Sequence, residues 1–343
     1  MFRSWLTYKI LILFFLSTAS MILEAYAPPL GASNHSASNI APTLNSTILY
    51  QTNIYTPEFD LNADSVIVPL KRAGHLFLIE ATVGDQTGNL VFDSGANGLV
   101  LNSTYFRNHV KSSGSTPSGV TGSLGAVEQI VVNRLAFADL SYKNITADVT
   151  NLGHIENRRG IKILGLIGFS MMRKLEIVID ARKNQLKLFK IDKAGKRLTN
   201  STPEFIADHT QKIEGNSNIL FVKGIISGKT LVFCFDTGCE TNVICSDCNR
   251  SIMNTLTITR RSELIGAGKG GSEVLFGRMN DFTIGNKKIP NMETVITNLG
   301  ALSESYGTRI DGMLGYDFLE QGIICINFVK RQFGIRFMKG EEK

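Results

Sequence analysis

Two short runs end an apolar stretch on an aspartate followed by a hydroxyl residue and a glycine: Val91-Phe92-Asp93-Ser94-Gly95-Ala96 and Phe233-Cys234-Phe235-Asp236-Thr237-Gly238-Cys239. A carboxylate at the end of an apolar strand is poorly solvated. Two of them within about 3 Å of each other cannot both ionise cheaply, so they share a proton and titrate as a coupled pair. One carboxyl then serves as acid while the other serves as base, which is the equipment for turning a water against a carbonyl. A lone Asp-Ser-Gly reads as a turn, because all three residues are turn formers. Here both copies place the aspartate after an apolar strand.

The elements around the two runs repeat as well, and an internal repeat decides the architecture before any local assignment. Gly165-Leu166-Ile167-Gly168 follows the first aspartate and Gly312-Met313-Leu314-Gly315 follows the second, at intervals of 72 residues from Asp93 to Gly165 and 76 from Asp236 to Gly312. Phe169-Ser170-Met171-Met172 with Ile177-Val178-Ile179-Asp180 then matches Tyr316-Asp317-Phe318-Leu319 with Ile324-Cys325-Ile326-Asn327. Between aspartate and Gly-x-x-Gly, each half has a glycine-rich stretch running into a strand-like segment, Gly119 to Gly125 in the first and Gly266 to Gly271 in the second. Short runs such as Leu76–Ile79, Asn89–Phe92, Leu186–Phe189 and Leu231–Phe233, rich in β-branched or aromatic residues, predict strands. Helices are expected to be few and short, one after each second glycine, near Ser170 to Leu175 and Asp317 to Gln321.

At these residues the chain resembles the aspartic peptidases, the superfamily of pepsin-like and retropepsin-like enzymes with two Asp-Thr/Ser-Gly motifs. The resemblance spans roughly Ala73 to Phe337. It implies an all-β fold of two homologous β-barrel lobes with an active-site cleft between them, and Asp93 and Asp236 as the catalytic pair. Ser94 and Thr237 are then active-site supports that bond across to the opposite loop. Gly95 and Gly238 support the site by letting backbone N–H groups approach the carboxylates. Gly165 and Gly312 let a second strand press on each catalytic loop with no Cβ between them. The implied chemistry is water-mediated peptide hydrolysis, with no cofactor, no metal and no covalent nucleophile.

Three departures from the family pattern bear on function. Ala96 and Cys239 stand where many pepsin-like members carry Ser or Thr, which reduces the outer hydrogen bonding to the carboxylates and raises their pKa. The expected pH optimum is therefore less acidic than that of a gastric-type enzyme. The segments expected to form flaps, Ser118 to Val127 and Ile265 to Val274, contain no aromatic residue. Two glycine-rich flaps closing symmetrically and weak enclosure of substrate both fit that composition.

With 343 residues, 43% of them hydrophobic, the chain has ample material for two cores. Arg3 and Lys9 precede an uncharged apolar run from Ile10 to Leu23, shorter than the roughly 20 residues of a membrane span and suited to a signal segment. Cleavage after Ala27, cleavage near Ala19 and retention as a membrane anchor are the alternatives. The expected order is a signal peptide or anchor over residues 1–27, a lead over 28–53, a first lobe over 54–191, a connection over 192–212 and a second lobe over 213–343.

The net charge of +6 is spread along the chain, densest from Lys183 to Arg197, and reads as a solvated face near the interlobe connection. No stripe or recognition motif indicates nucleic acid. All five cysteines, Cys234, Cys239, Cys245, Cys248 and Cys325, fall in the second half. Cys245 and Cys248 form half a zinc pattern without a second pair, so a local disulfide or two free thiols is expected there. Cys234, Cys239 and Cys325 are expected to be buried packing residues. The histidines are scattered, and neither H-E-x-x-H nor G-x-S-x-G occurs.

These residues point to an exported, monomeric aspartic endopeptidase, periplasmic or secreted, acting on peptide or protein segments in extended conformation. It contacts membrane only through an uncleaved N-terminal segment and does not bind nucleic acid. The alternative is a peptide- or glycan-binding protein that keeps the fold without cleaving.

Overall fold

The computed structural model describes residues 55–60, 63–96, 98–107, 118–119, 122–123, 128–198, 202–214, 219–265 and 271–338. The N-terminal apolar run and the lead after it lie outside the described residues, as do 120–121 and 124–127 of the first expected flap and 266–270 of the second. Among the described residues no helix is long and apolar enough to cross a membrane.

In the first lobe the strand Leu76–Val83 pairs with Gln86–Phe92 across a two-residue turn whose Gly84 has a φ of 60°. The sheet continues through Ile163–Ile167, Leu99–Asn102, Leu140–Thr150 and Glu128–Phe137, then returns to Leu76–Val83 through Thr82 opposite Ala136 and Val83 opposite Leu135. These strands close a six-membered ring, which removes the sheet edges that would otherwise invite pairing with other chains.

The second lobe repeats this course with Leu220–Ile226, Lys229–Phe235, Gly312–Leu314, Asn242–Cys245, Met292–Thr297 and Gly271–Met279. The strand that is continuous over Glu128–Phe137 in lobe one is interrupted at Asn280–Asp281 in lobe two. Its second piece, Phe282–Ile284, meets Leu220–Ile226 through Ile225 opposite Thr283.

A six-stranded antiparallel sheet joins the lobes. At its centre Leu175–Asp180 of lobe one pairs with Gly322–Asn327 of lobe two, with Ile177 opposite Ile326 and Ile179 opposite Ile324. The flanking strands Gln185–Lys190 and Gln332–Phe337 occupy matching places, and the edges are Ser65–Pro69 and His209–Lys212. The alternating apolar residues expected to close each half, Leu186 with Leu188 and Phe333 with Ile335, are buried in this sheet.

Two local expectations need correction. The turn after Gly168 is a 3₁₀ turn over Phe169–Met172, and the helix after Gly315 is Tyr316–Leu319, so each begins one residue after its glycine and is shorter than expected. Leu175, placed at a helix end by sequence reading, opens a central strand whose pairing overrides local propensity. The charged stretch up to Arg197 is also not uniformly solvated. The Arg197 side chain is mostly covered, donates from Nε to Glu176 Oε1 at 2.6 Å and lies 3.7 Å from the Phe189 ring centroid. Glu176 sits on the central strand, so this pair ties the connection to the sheet between the lobes.

Candidate active site

Each lobe builds its half of the site in the same way. Gln86–Phe92 runs into the Asp93 loop and Leu99–Asn102 leaves it, while Ile163–Ile167 inserts between them, parallel to the first and antiparallel to the second. Lys229–Phe235, Gly312–Leu314 and Asn242–Cys245 repeat the arrangement around Asp236. This ψ-shaped crossing brings the inserted strand against the backbone of its neighbour. A Cβ on Gly165 would lie 2.0 Å from the Val100 carbonyl oxygen, and one on Gly312 would lie 2.4 Å from that of Val243. The glycines that end these strands are as confined: a Cβ on Gly168 would lie 1.9 Å from the Ala96 carbonyl oxygen and one on Gly315 2.4 Å from that of Cys239. Sequence reading assigned this role to Gly165 and Gly312, and Gly168 and Gly315 share it.

The loops meet where the lobes join. The Ser94 N–H donates to Thr237 Oγ1 at 2.9 Å, and the Thr237 N–H donates to Ser94 Oγ at 2.8 Å. Each hydroxyl then donates onward across the interface, Ser94 Oγ to the Phe235 carbonyl at 3.0 Å and Thr237 Oγ1 to the Phe92 carbonyl at 2.8 Å. Four hydrogen bonds between buried groups thus lock one aspartate loop against the other. Inside each loop the glycine N–H donates to its own aspartate, Gly95 to Asp93 Oδ1 and Gly238 to Asp236 Oδ1, both at 2.9 Å. Gly238 also abuts the opposite carboxyl, for a Cβ there would stand 2.7 Å from Asp93 Cγ.

Asp93 and Asp236 are each 1% exposed, and Oδ2 of each has no donor among the described residues. Beneath them lies an aromatic floor that crosses the lobe boundary. Phe92 packs on Phe169 with centroids 5.7 Å apart, Phe169 stacks on Phe235 at 6.3 Å, and Phe235 meets Phe318 at 6.3 Å. This low-dielectric setting disfavours the charged forms. Burial first, and then the charge of Asp236, holds Asp93 well above the usual carboxylate range. Burial likewise pushes Asp236 up to about 6, against the lowering effect of its neighbour Asp93 and of the Gly238 and Gly95 N–H groups. The pair accordingly keeps a proton into the neutral range.

All six residues singled out from sequence, Asp93, Ser94, Gly95, Asp236, Thr237 and Gly238, meet in this one place. Ala96 and Cys239 follow in the loops, Ala96 donating its N–H to the Asp93 backbone carbonyl at 3.1 Å and Cys239 to that of Asp236 at 3.2 Å. The Cys239 Sγ lies 2.9 Å from the Thr241 carbonyl. All five cysteines are buried free thiols. Of the flaps, Ser118–Gly119 pairs with Gly122–Ser123, and the second-lobe hairpin runs through Ile265 opposite Gly271.

Sequence reading missed two groups. Asn242 Oδ1 accepts the Gly315 N–H at 2.8 Å, tying the outgoing strand to the end of the inserted one. Arg159, at the end of the helix Gly153–Arg159, forms a buried ion pair across the lobes with Glu240 of the Asp236 loop. The only sequence trace of this pair is a charged residue four positions after an aspartate in an otherwise uncharged loop. Its partner, 81 residues away, carries no local signal.

Residues 222–318 match the family model described as aspartyl protease. Among solved structures, the aspartic proteinase from Irpex lacteus is similar at 14% identity, covering 80% of this chain and 98% of its own, with a TM-score of 0.49. No curated protein matches the chain. The matched segment contains Asp236 and its inserted strand, and the first lobe repeats that construction around Asp93.

Proposed function

We propose that the chain is an aspartic endopeptidase in which Asp93 and Asp236 act as one acid–base pair. The observation that carries this reading is the juxtaposition of two buried carboxyls, each held by its own loop glycine and both fixed by the reciprocal Ser94–Thr237 bonds. A shared proton leaves one carboxylate to take a proton from water while the neutral carboxyl polarises the peptide carbonyl and then protonates the tetrahedral species. The unbonded Oδ2 atoms are the groups for these transfers, since the Oδ1 atoms are occupied by Gly95 and Gly238. The substrate is a peptide segment in extended conformation, bound where the lobes meet by a monomeric enzyme. Export through the N-terminal apolar run, with periplasmic or secreted residence, is part of the same reading.

The test is cleavage of a denatured-protein mixture by the full chain between pH 3 and 8, beside Asp93→Asn and Asp236→Asn. Bell-shaped cleavage lost in both variants is the expected result. A folded parent that cuts nothing would instead favour a protein that holds peptides or glycans without cutting them, a reading to which the flaps without aromatic residues also lend themselves.

A further inference from the structure

The two aspartate loops are near copies, yet among the described residues only the Asp236 loop is gripped by charged side chains of the opposite lobe. Glu240 stands four residues after Asp236, and the side chains of Glu240 and of Arg159 in the first lobe are 7% and 8% exposed. The Arg159 guanidinium donates from Nη2 to Glu240 Oε1 and from Nη1 to the Ala73 carbonyl of its own lobe. The turn beside it is shaped to admit that group: Gly74 has a φ of 69°, and a Cβ there would lie 2.6 Å from Arg159 Nη1. The next residue, His75, uses Nδ1 to donate to the Glu240 backbone carbonyl at 3.0 Å. Its ring stacks on Tyr316, with centroids 4.2 Å apart and planes 9° from parallel. Tyr316 donates its N–H to the Cys239 carbonyl at 2.9 Å, and the Arg72 guanidinium lies 4.8 Å from the Tyr316 ring centroid. Consecutive carbonyls of the Asp236 loop, at Cys239 and Glu240, are thus held from outside it.

Among the described residues the other half shows no counterpart to this arrangement. Superposing the halves by sequence places Asn97 opposite Glu240, Tyr306 opposite Arg159 and Phe169 opposite Tyr316. A buried ion pair is weak ground for stability, because desolvation offsets most of its attraction. Arg159 Nε even remains without a partner. What such a pair does supply is a fixed geometry. The fixed loop is short: Cys239 N–H donates to the Asp236 carbonyl at 3.2 Å, and Gly238 touches the Asp93 carboxyl.

We propose that Arg159, through Glu240, is a positioning residue that sets the Asp236 loop against Asp93. Its hydrogen-bond partners among the described residues are Glu240 and the Ala73 carbonyl, not the carboxyls of Asp93 and Asp236. The proposal rests on the peptidase reading above. Releasing Glu240 lets Gly238 and Asp236 drift relative to Asp93, and misplacement by about 1 Å of reacting groups costs on the order of 100-fold in rate.

The test compares the full chain with Arg159→Met, Arg159→Lys, Glu240→Met and the double Arg159→Met/Glu240→Met. Peptide cleavage is measured well below each melting temperature and scaled to the folded fraction. The same proteins, with carbon-13 in their aspartate carboxyls, are titrated by NMR. Arg159→Met is expected to lower kcat about 10- to 100-fold while KM stays within about threefold. The double variant should be no worse than the worse single, and Arg159→Lys should recover only part, since an ammonium cannot bridge Glu240 and Ala73 as the planar fork does. The carboxyl titrations of Asp93 and Asp236 should move in Arg159→Met, which a purely structural loss would not produce in the folded fraction. Unchanged kcat per folded molecule together with unchanged carboxyl titrations would overturn the proposal. If the parent cuts no peptide yet the titrations move, the positioning role stands and the peptidase reading falls.

Discussion

Ser94 and Thr237 exchange hydrogen bonds reciprocally, each backbone N–H donating to the other's hydroxyl at 2.9 and 2.8 Å, although 143 residues separate them. Neither loop satisfies these donors alone, so each lobe completes the other at the point where the carboxyls must be held. The same hydroxyls reach the Phe92 and Phe235 carbonyls, the residues just before the aspartates. The bonds therefore act on the strand ends that aim Asp93 and Asp236.

Ser94→Ala removes one acceptor and one donor and leaves the Thr237 N–H and the Phe235 carbonyl buried without partners. An unsatisfied buried group costs about 1–3 kcal/mol, so Ser94→Ala and Thr237→Val should each lower unfolding stability by roughly that amount. Ser94→Thr, which keeps the hydroxyl, should lose less. Because the two sites share their bonds, the double variant should cost clearly less than the two singles added together. Denaturant unfolding of the four proteins measures this; additive losses would mean that the reciprocal bonds do not form.

Burial raises both buried carboxyls, Asp236 to about 6 and Asp93 well above the usual carboxylate range. A carboxyl whose folded pKa is raised favours folding below its unfolded value near 4, and that advantage disappears as pH climbs through the folded value. Asp236→Asn should therefore melt higher than the parent at pH 7, by the equivalent of about 1–3 kcal/mol, and show little gain at pH 3.5. The same direction governs cleavage, because the singly protonated pair becomes populated only as pH rises through about 6. The acid limb of the rate profile should thus lie near neutrality, well above a gastric-type optimum. A profile peaking below about pH 3 contradicts this.

The two aspartate loops were legible in sequence because their constraints are local: an apolar strand, a carboxylate, and a glycine where N–H groups must turn back. The repeat then made Gly165 and Gly312 readable, and the physical reason for them is that an added Cβ would lie 2.0 and 2.4 Å from a neighbouring backbone carbonyl. Strands such as Leu76–Val83 were visible from composition, while the turn after Gly168 was read too long because Leu175 is claimed by pairing with Lys190, invisible to a local window. Long-range polar pairs left the least trace. Arg197 looked like one more cation of a solvated stretch, yet its side chain is mostly covered, against Glu176 and Phe189. Arg159 gave no sign that it closes on Glu240.

The cysteines should be chemically silent in the native protein. All five are buried, and burial raises the thiol pKa of Cys234 and Cys239 well above its usual value, with the Asp236 charge adding to each. Burial also pushes Cys248 up to about 11 and raises Cys325. Since the thiolate is the reactive form, an aromatic disulfide reagent at pH 8 should titrate no thiol on the native chain over minutes and all five in denaturant. Fast loss of activity in native buffer would place Cys239, three residues after Asp236, in contact with solvent.

Two glycines should separate folding from chemistry. A methyl on Gly165 would stand 2.0 Å from the Val100 carbonyl, backbone on backbone inside the ψ crossing, and neither strand can yield without breaking its ladder. Gly165→Ala is expected to lose upward of about 4 kcal/mol or to fail to fold. The nearest atoms to a methyl on Gly238 would be those of the Asp93 carboxyl, with Cγ at 2.7 Å and Oδ1 at 2.8 Å, a side chain that can rotate away. Gly238→Ala should keep a cooperative melt within about 2 kcal/mol of the parent, because the strain is relieved by turning one side chain. That turn points Asp93 away from Asp236 and splits the pair, so cleavage should drop by at least 100-fold in a folded protein. Circular dichroism melts and kcat on the same preparations decide it: a Gly238→Ala protein that folds and cleaves like the parent would mean that the Asp93 carboxyl does not depend on the bare backbone beside it.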